Sequence, residues 1–494
     1  MRLNERAALA ILLVAYLLLA ALFAARAPAW QAPDEPAHYN VLRQLHEAPA
    51  PRCCPVIEPG DWDQALLARL TGERFAGATP ETLAPLQYED HQPPLYYLLT
   101  ALVYEWSAGS LTALRLFSAL LGAGVVYCAH ALARAALPGR PWLALTAAAF
   151  VAFLPQHLAM MSAVNNDSLN ELLIGLALVA LARWLRGDRA GLRRLARALL
   201  PAATALCVLL LLYGLITLAA ALLFLALTGV GLWLWRSDRQ TLWPLWFMGL
   251  LAGLLLVTKP GGYFVAGLLP LVLLLRLRPA GLQRRRAARQ LLVAGLACLL
   301  APALLTGGLW WARNLAVYGW PDLLGLAAHN RVVLDQLRRA DLVAEIGAAA
   351  WAQRALRDTF TSFWGQFGWM ALPLQGRLLL PPLALSLAAV SGLLLSGRPC
   401  SGRGLRQLHR ALWLVIGLTA LAYLYYNLEF VQLQGRYLYP ALLPLALLLA
   451  RGLDAWRTRL LPGRLPWLTL LPVALLAPFS LWLLLTVIEP LLSA

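Results

Sequence analysis

The feature that most limits what this chain can fold into is a succession of apolar runs, most near the 20 residues that a helix needs to cross a bilayer's hydrocarbon core. About 13 such runs lie at 8 to 25, 111 to 135, 142 to 161, 169 to 185, 198 to 213, 215 to 235, 243 to 257, 262 to 275, 290 to 310, 378 to 396, 411 to 426, 437 to 450 and 467 to 488. Only helices satisfy every backbone N–H and C=O internally over such stretches, so an all-α polytopic membrane protein is expected. The runs at 262 to 275 and 437 to 450 fall short of a full span and are read as short or broken helices. Composition excludes the alternative of two or three soluble domains: of 494 residues, 61% are hydrophobic and 13% charged, against about 45–50% and about 25% in soluble chains.

The net charge of +17 raises the question of nucleic acid, and the position of the charges answers it. Arginines cluster in short loops, at Arg183, Arg186, Arg189, Arg193, Arg194 and Arg197, at Arg276, Arg278, Arg284, Arg285, Arg286 and Arg289, and at Arg398, Arg403, Arg406 and Arg410. By the positive-inside rule these are cytoplasmic loops, and no nucleic-acid partner is expected. Arg2 and Arg6 put the amino terminus inside, and the first run reads as an uncleaved anchor because its apolar core exceeds that of a signal peptide. Residues 26–110 then form a first extracytoplasmic loop, acidic between Arg26 and Gln92, with an interfacial helix near Pro94 to Trp106. Parity places 312–377 outside as a second long loop. The expected organisation is a single membrane domain over 1–494 with these two appendages. The 19 Trp, 15 Tyr and 13 Phe suit interfacial belts and a pocket for something amphipathic. Six Cys without CxxC spacing argue against a thiolate metal site, and the adjacent Cys53 and Cys54 receive no role.

Polar residues recur at the outer ends of the runs. Asp34, Glu35 and His38 open a helix after the first span, with Asp34 and His38 one turn apart on a shared face; alternatively the acids only cap it. The second outer sequence holds Glu89, Asp90 and His91 before Pro93-Pro94 and Tyr96, where acid and imidazole face catalysis or merely begin a helix. Asp167 follows Asn165-Asn166 between the third and fourth spans, as ligand or as cap. Of 41 basic residues one is lysine, Lys259, on a Pro-Gly-Gly turn at membrane depth. It suits a phosphate, or else snorkels to the headgroups. Arg313, in WWARN, and Arg436, in QLQGRY with Gln434, run against the positive-inside bias and suit an anion. The Phe360 to Trp369 stretch reads as an aromatic belt or a stacking shelf. His130, His157 and His409 lack acidic neighbours along the chain and read as structural.

Asp-Glu-Pro-x-His, His-Gln-Pro-Pro-Leu-Tyr-Tyr, Asn-Asp after span three, Lys-Pro-Gly, Trp-Trp-x-Arg-Asn and Gln-Gly-Arg-Tyr, spread from about residue 30 to 440, together resemble the GT-C membrane glycosyltransferases. The resemblance is to a bacterial branch of polytopic membrane proteins, related more distantly to protein mannosyltransferases and lipid A aminoarabinose transferases. It implies a GT-C-like fold in the bacterial inner (plasma) membrane, an active site on the periplasmic side, a polyprenyl-phosphate-linked sugar as donor, and a glycan, lipid or protein as acceptor. It also implies Asp34, with Glu35 beside it, as the catalytic acid residues of the first loop, Lys259, Arg313 and Arg436 as holders of the donor phosphate, and His38, Glu89, Asp90, His91, Tyr96, Asp167 and Gln434 around the pocket. The residues fit an inverting displacement with Asp34 as base. The other option is Mg²⁺ or Mn²⁺ on oxygens from Asp34, Glu35 and Asp167, with Glu89 and Asp90 as further candidates. The chain departs from better-known relatives by a hairpin near 198 to 235 and by lacking a large soluble carboxyl-terminal domain. The rival function is a transporter or flippase of an anionic lipid or solute, since a charge at a helix break is the mark of one.

Overall fold

The structure, a computed structural model, describes residues 4–276, 285–334, 336–397, 402–463 and 465–493. Arg2, Arg278, Arg284 and Arg398 of the basic clusters lie outside the described residues. Among the described residues, ten helices are long and apolar enough to cross a membrane. The pair Pro141–Phe153 and Pro155–Met161 adds one more, bent by 65°, and Trp243–Leu256 and Pro260–Arg276 are shorter apolar helices. Each of the thirteen apolar runs thus has a helical counterpart. The described chain is all-α apart from one two-stranded hairpin, Gln366–Phe367 with Leu372–Pro373, which pairs Gln366 with Pro373.

Where helices depart from the expected spans, the cause is local chemistry. The third span breaks at Leu154, which is extended at φ −62°, ψ 116°, because Pro155 offers no N–H and crowds the residue before it out of the helical region. The ninth span runs on to Tyr318 instead of ending near 310. Arg313, expected just outside the span, lies inside that helix, its guanidinium over the rings of Trp310 and Tyr318 at 4.9 and 5.3 Å. The fifth begins at Arg189, so the arginines expected in a loop ride on a helical extension.

The central spans pack through small residues. Helix Leu380–Leu395 crosses helix Leu442–Leu460 so closely that a Cβ on Gly452 would strike the Ala389 carbonyl, and one on Gly392 the Gly452 carbonyl. Close approach of this kind replaces the hydrophobic drive that lipid does not supply. The first long loop contributes helices Glu35–Glu47, Gln64–Gly72 and Leu95–Ser107, and the second contributes Leu326–Val332, Arg339–Ile346 and Ala348–Trp364. Helix Leu95–Ser107 covers the expected interfacial helix, with Tyr96, Tyr97, Leu98 and Thr100 buried and Trp106 exposed. Cys53 and Cys54 are joined as a vicinal disulfide.

Candidate active site

The first loop is tied down beside Asp34 by its neighbour. Glu35 is fully buried and takes both nitrogens of a fork from Arg115, Nε to Oε1 at 2.8 Å and Nη2 to Oε2 at 2.6 Å. The Trp30 and Val164 N–H groups donate to the same carboxylate, each at 3.1 Å. Arg115 spends its remaining donors on the carbonyls of Ala24, Ala27 and Pro28. With every lone pair engaged and no water access, Glu35 has nothing left to bind a substrate or an ion; its geometry serves position. A buried arginine inside a membrane span demands such a partner.

That anchoring turns the chain so that Asp34 sits in the left-handed region at φ 69°, a conformation that costs an L residue about 1 kcal/mol. Asp34 occupies the helix's first flanking position, yet its side chain makes no capping bond. The carboxylate is turned outward to receive the Arg436 Nη2 at 2.8 Å and the Tyr88 hydroxyl at 3.1 Å.

Arg436 arrives from 402 residues away in sequence. Its Nε donates to Gln434 Oε1 at 2.6 Å. Gly435 lets the turn lie flat on helix Ala348–Trp364, since a Cβ there would collide with the Phe363 N and the Thr359 carbonyl, and its N–H donates to Ser362 Oγ at 2.7 Å.

A second ion pair stands beside the first. Lys259 Nζ lies 2.6 Å from Asp167 Oδ1, both side chains about four-fifths buried. Lys259 occupies the break between helices Trp243–Leu256 and Tyr263–Arg276, where Gly262 packs within 2.5 Å of Asn170 Oδ1 for an added Cβ. Asp167 does not cap its helix: its own N–H donates to Asn165 Oδ1 at 2.8 Å. The Asn165 N–H is fixed by the Tyr96 hydroxyl, at 3.1 Å, which also bonds Ser118 Oγ at 2.9 Å. Tyr96 therefore holds the turn that presents Asp167.

The two pairs share one electrostatic environment. Burial alone would raise the Asp34 carboxyl, but the Arg436 guanidinium, with His38 and the Lys259 ammonium behind it, outweighs burial and holds the group below its ordinary 3.8. His38 stands within electrostatic reach of Glu89, Asp34, Lys259 and Asp167, and burial holds its imidazole below 6.5. Its Nδ1 lies 2.8 Å from the Tyr97 hydroxyl. Glu89 adds a buried Oε2 with no hydrogen-bond partner.

Other expected members fall elsewhere. Arg313 donates to the Cys54 and Pro55 carbonyls and to Asn314 Oδ1 and the Tyr318 hydroxyl, which spends it on holding the first loop. Asp90 receives Gln44 Nε2 at 2.7 Å, and burial pushes its carboxyl well above 3.8. His91 meets His329 of the second loop with ring centres 4.4 Å apart and planes tilted by 49°, and burial pushes its imidazole down to about 3. His130 and His157, without acidic sequence neighbours, meet Glu5 and Glu171 across helices, each at 3.1 Å. Among the described residues no three His, Cys, Asp or Glu side chains converge as a metal would require. Asp34, Asp167 and Glu35 each face a different cation, Arg436, Lys259 and Arg115. The sequence pointed to neither Tyr88 nor Arg115, and to Asn165 only as a neighbour of Asp167. Arg115, a charge inside an apolar run, carried the one signal that could have found it.

No family model and no curated protein matches the chain. Among solved structures it is similar to ArnT from Cupriavidus metallidurans bound to undecaprenyl phosphate, at 13% identity and TM-score 0.48, over 98% of this chain and 74% of that one. It is also similar to the Archaeoglobus fulgidus oligosaccharyltransferase tethered with an acceptor peptide, at 14% identity and TM-score 0.45, over 98% of this chain and 55% of that one.

Proposed function

We propose that this chain is a membrane glycosyltransferase of the GT-C kind, which moves a sugar from a polyprenyl-phosphate donor to a hydroxyl of a glycan, lipid or protein acceptor at the extracytoplasmic face of a bacterial plasma membrane. The observation that carries the reading is the adjoining pair of ion pairs, Asp34 with Arg436 and Asp167 with Lys259. Each joins a cation suited to phosphate with a carboxylate that the helix does not use as a cap. The donor phosphate exchanges with the two carboxylates for Arg436 and Lys259, one planar fork and one compact ammonium.

The exchange gives Asp34 its role. Paired with Arg436, its carboxylate is a weak base; once the guanidinium turns to a phosphate anion, the pairing that depressed it is lost and the neighbouring negative charge raises its proton affinity. Asp34 then accepts the acceptor's hydroxyl proton as that oxygen bonds to the anomeric carbon. The bond from that carbon to the phosphate oxygen breaks with its electron pair, the polyprenyl phosphate leaves, and the anomeric centre inverts. Arg436 and Lys259 stabilise the charge gained by the leaving phosphate, in a cleft where low dielectric strengthens them. Glu35 and Arg115 position Asp34, Tyr96 positions Asp167, and Gln434 positions Arg436.

The test is transfer of labelled sugar from a polyprenyl-phosphate donor in proteoliposomes. The Asp34→Asn variant, expressed and folded as the parent, should lose transfer. Full transfer by that variant removes Asp34 as base, whereas movement of intact donor across the vesicle wall with no transfer turns the reading into the flippase.

A further inference from the structure

The hairpin that sets this chain apart from the family it resembles contains a feature that the transfer reaction does not use. Helices Arg189–Leu212 and Leu218–Arg236 enclose a crevice of about 660 Å³. On one wall Ala196, Pro201, Thr204 and Ala205 leave room by their small size. Arg197, Trp235 and Arg236 stand at its mouth. The positive-inside bias places this arginine-rich end at the cytoplasmic surface.

The mouth is cationic without local neutralisation. Arg197 lies over the Trp235 ring at 5.6 Å, and Arg193 over the same ring at 5.9 Å. Among the described residues, neither Arg197 nor Arg236 is paired with a carboxylate. The nearby Asp188 gives Oδ1 to the Gly191 N–H as a helix cap, and Asp238 is exposed in the turn. Deeper in the crevice, Thr228 is 5% exposed and its hydroxyl has no hydrogen-bond partner. Two turns of helix, about 12 Å, separate its Cα from that of Arg236, and an arginine side chain leaning back toward the helix amino terminus shortens this toward the span between a headgroup phosphate and the glycerol ester carbonyls below it.

We propose that this crevice binds one anionic glycerophospholipid of the cytoplasmic leaflet, its phosphodiester between Arg197 and Arg236 and an ester carbonyl accepting from the Thr228 hydroxyl. The volume lies in the range of small-molecule sites. An apolar interior below a basic, aromatic mouth is complementary to an acyl chain below a phosphate. A buried hydroxyl without a partner costs free energy that a lipid ester would recover. The proposal is independent of the glycosyltransferase reading, because it concerns the opposite end of the molecule and needs no turnover.

The experiment is native mass spectrometry of the full-length protein released from nanodiscs of phosphatidylcholine with or without phosphatidylglycerol. The parent should retain one phosphatidylglycerol and no phosphatidylcholine. The Arg197→Gln, Arg236→Gln double variant should lose that adduct by about tenfold or more, at about 1 kcal/mol per arginine. Arg194→Gln with Arg406→Gln removes as much charge elsewhere on the same face and should leave the adduct intact. Thr228→Val, nearly isosteric, should weaken retention severalfold while folding as the parent. Equal loss in both double variants means a diffuse electrostatic halo and overturns the site. So does unchanged retention in Arg197→Gln, Arg236→Gln, or equal retention of phosphatidylcholine by the parent.

Discussion

The cleft at Asp34 and Lys259 and the crevice at Arg197 and Arg236 both collect cations at the end of membrane helices, and they do so in opposite ways. In the cleft, two cations, Lys259 and Arg436, are each held by a carboxylate in a largely buried setting. At the crevice arginines are numerous; Arg197 meets an aromatic ring, Arg236 is exposed, and among the described residues neither pairs with a carboxylate. A cation already paired can accept a ligand anion only by exchange, which suits a site that must bind, react and release. An unpaired cation at a leaflet surface meets a steady supply of lipid phosphate, which suits static anchoring. The sign of the charge does not separate the two; the presence of a carboxylate within 3 Å does.

The difference can be broken most sharply at Asp34. Asp34→Asn should lower sugar transfer by roughly 10² to 10⁴, the usual contribution of a positioned base, measured as single-turnover transfer in proteoliposomes. Glu35→Gln tests whether the adjacent acid is architecture: leaving Arg115 without its charge partner should cost about 3–5 kcal/mol of stability. That should appear as a large fall in apparent melting temperature, with the surviving folded fraction still able to turn over. If Glu35→Gln folds as the parent and fails only in transfer, the division between the two acids is reversed. Lys259→Ala should weaken donor binding by about tenfold in a flotation assay, while Arg197→Gln with Arg236→Gln leaves donor binding untouched.

A further effect concerns pH. His91 titrates near 6.5 when unfolded and at about 3 when folded, so the unfolded chain binds the extra proton first and stability is lost as pH falls below 6.5. At pH 5 the loss is about 2 kcal/mol. His91→Asn, which keeps a donor toward the Tyr88 carbonyl, should flatten the dependence of melting temperature between pH 7 and 5. An unchanged slope places the titrating group elsewhere.

The spans were legible in the sequence because a bilayer imposes one length and one polarity on every segment, and each apolar run became a helix. Asp34, Asp167, Lys259 and Arg436 were legible as isolated charges at outer helix ends, but their pairing was not. Arg436 and Asp34 stand 402 residues apart, and no local pattern encodes a contact of that range. The same blindness explains Glu35 and Arg313. Each belongs to a motif that points to chemistry, yet Arg115 and the Pro55 carbonyl, which engage them, are brought there by tertiary packing alone. The capping alternative for Asp34 and Asp167 was reasonable on propensity, and it gave way because other groups supply the bonds that a cap would have made: Asn165 Oδ1 takes the Asp167 N–H.

The proposed exchange of carboxylate for phosphate at Arg436 requires affinity and turnover to move in opposite directions, and equilibrium binding of undecaprenyl phosphate to Asp34→Asn reads this most directly. With the competing negative charge removed, the variant should bind the lipid phosphate at least as tightly as the parent while transferring no sugar, and Arg436→Gln should bind it more weakly than either. Weaker binding by Asp34→Asn than by the parent, or parental affinity in Arg436→Gln, would contradict the exchange.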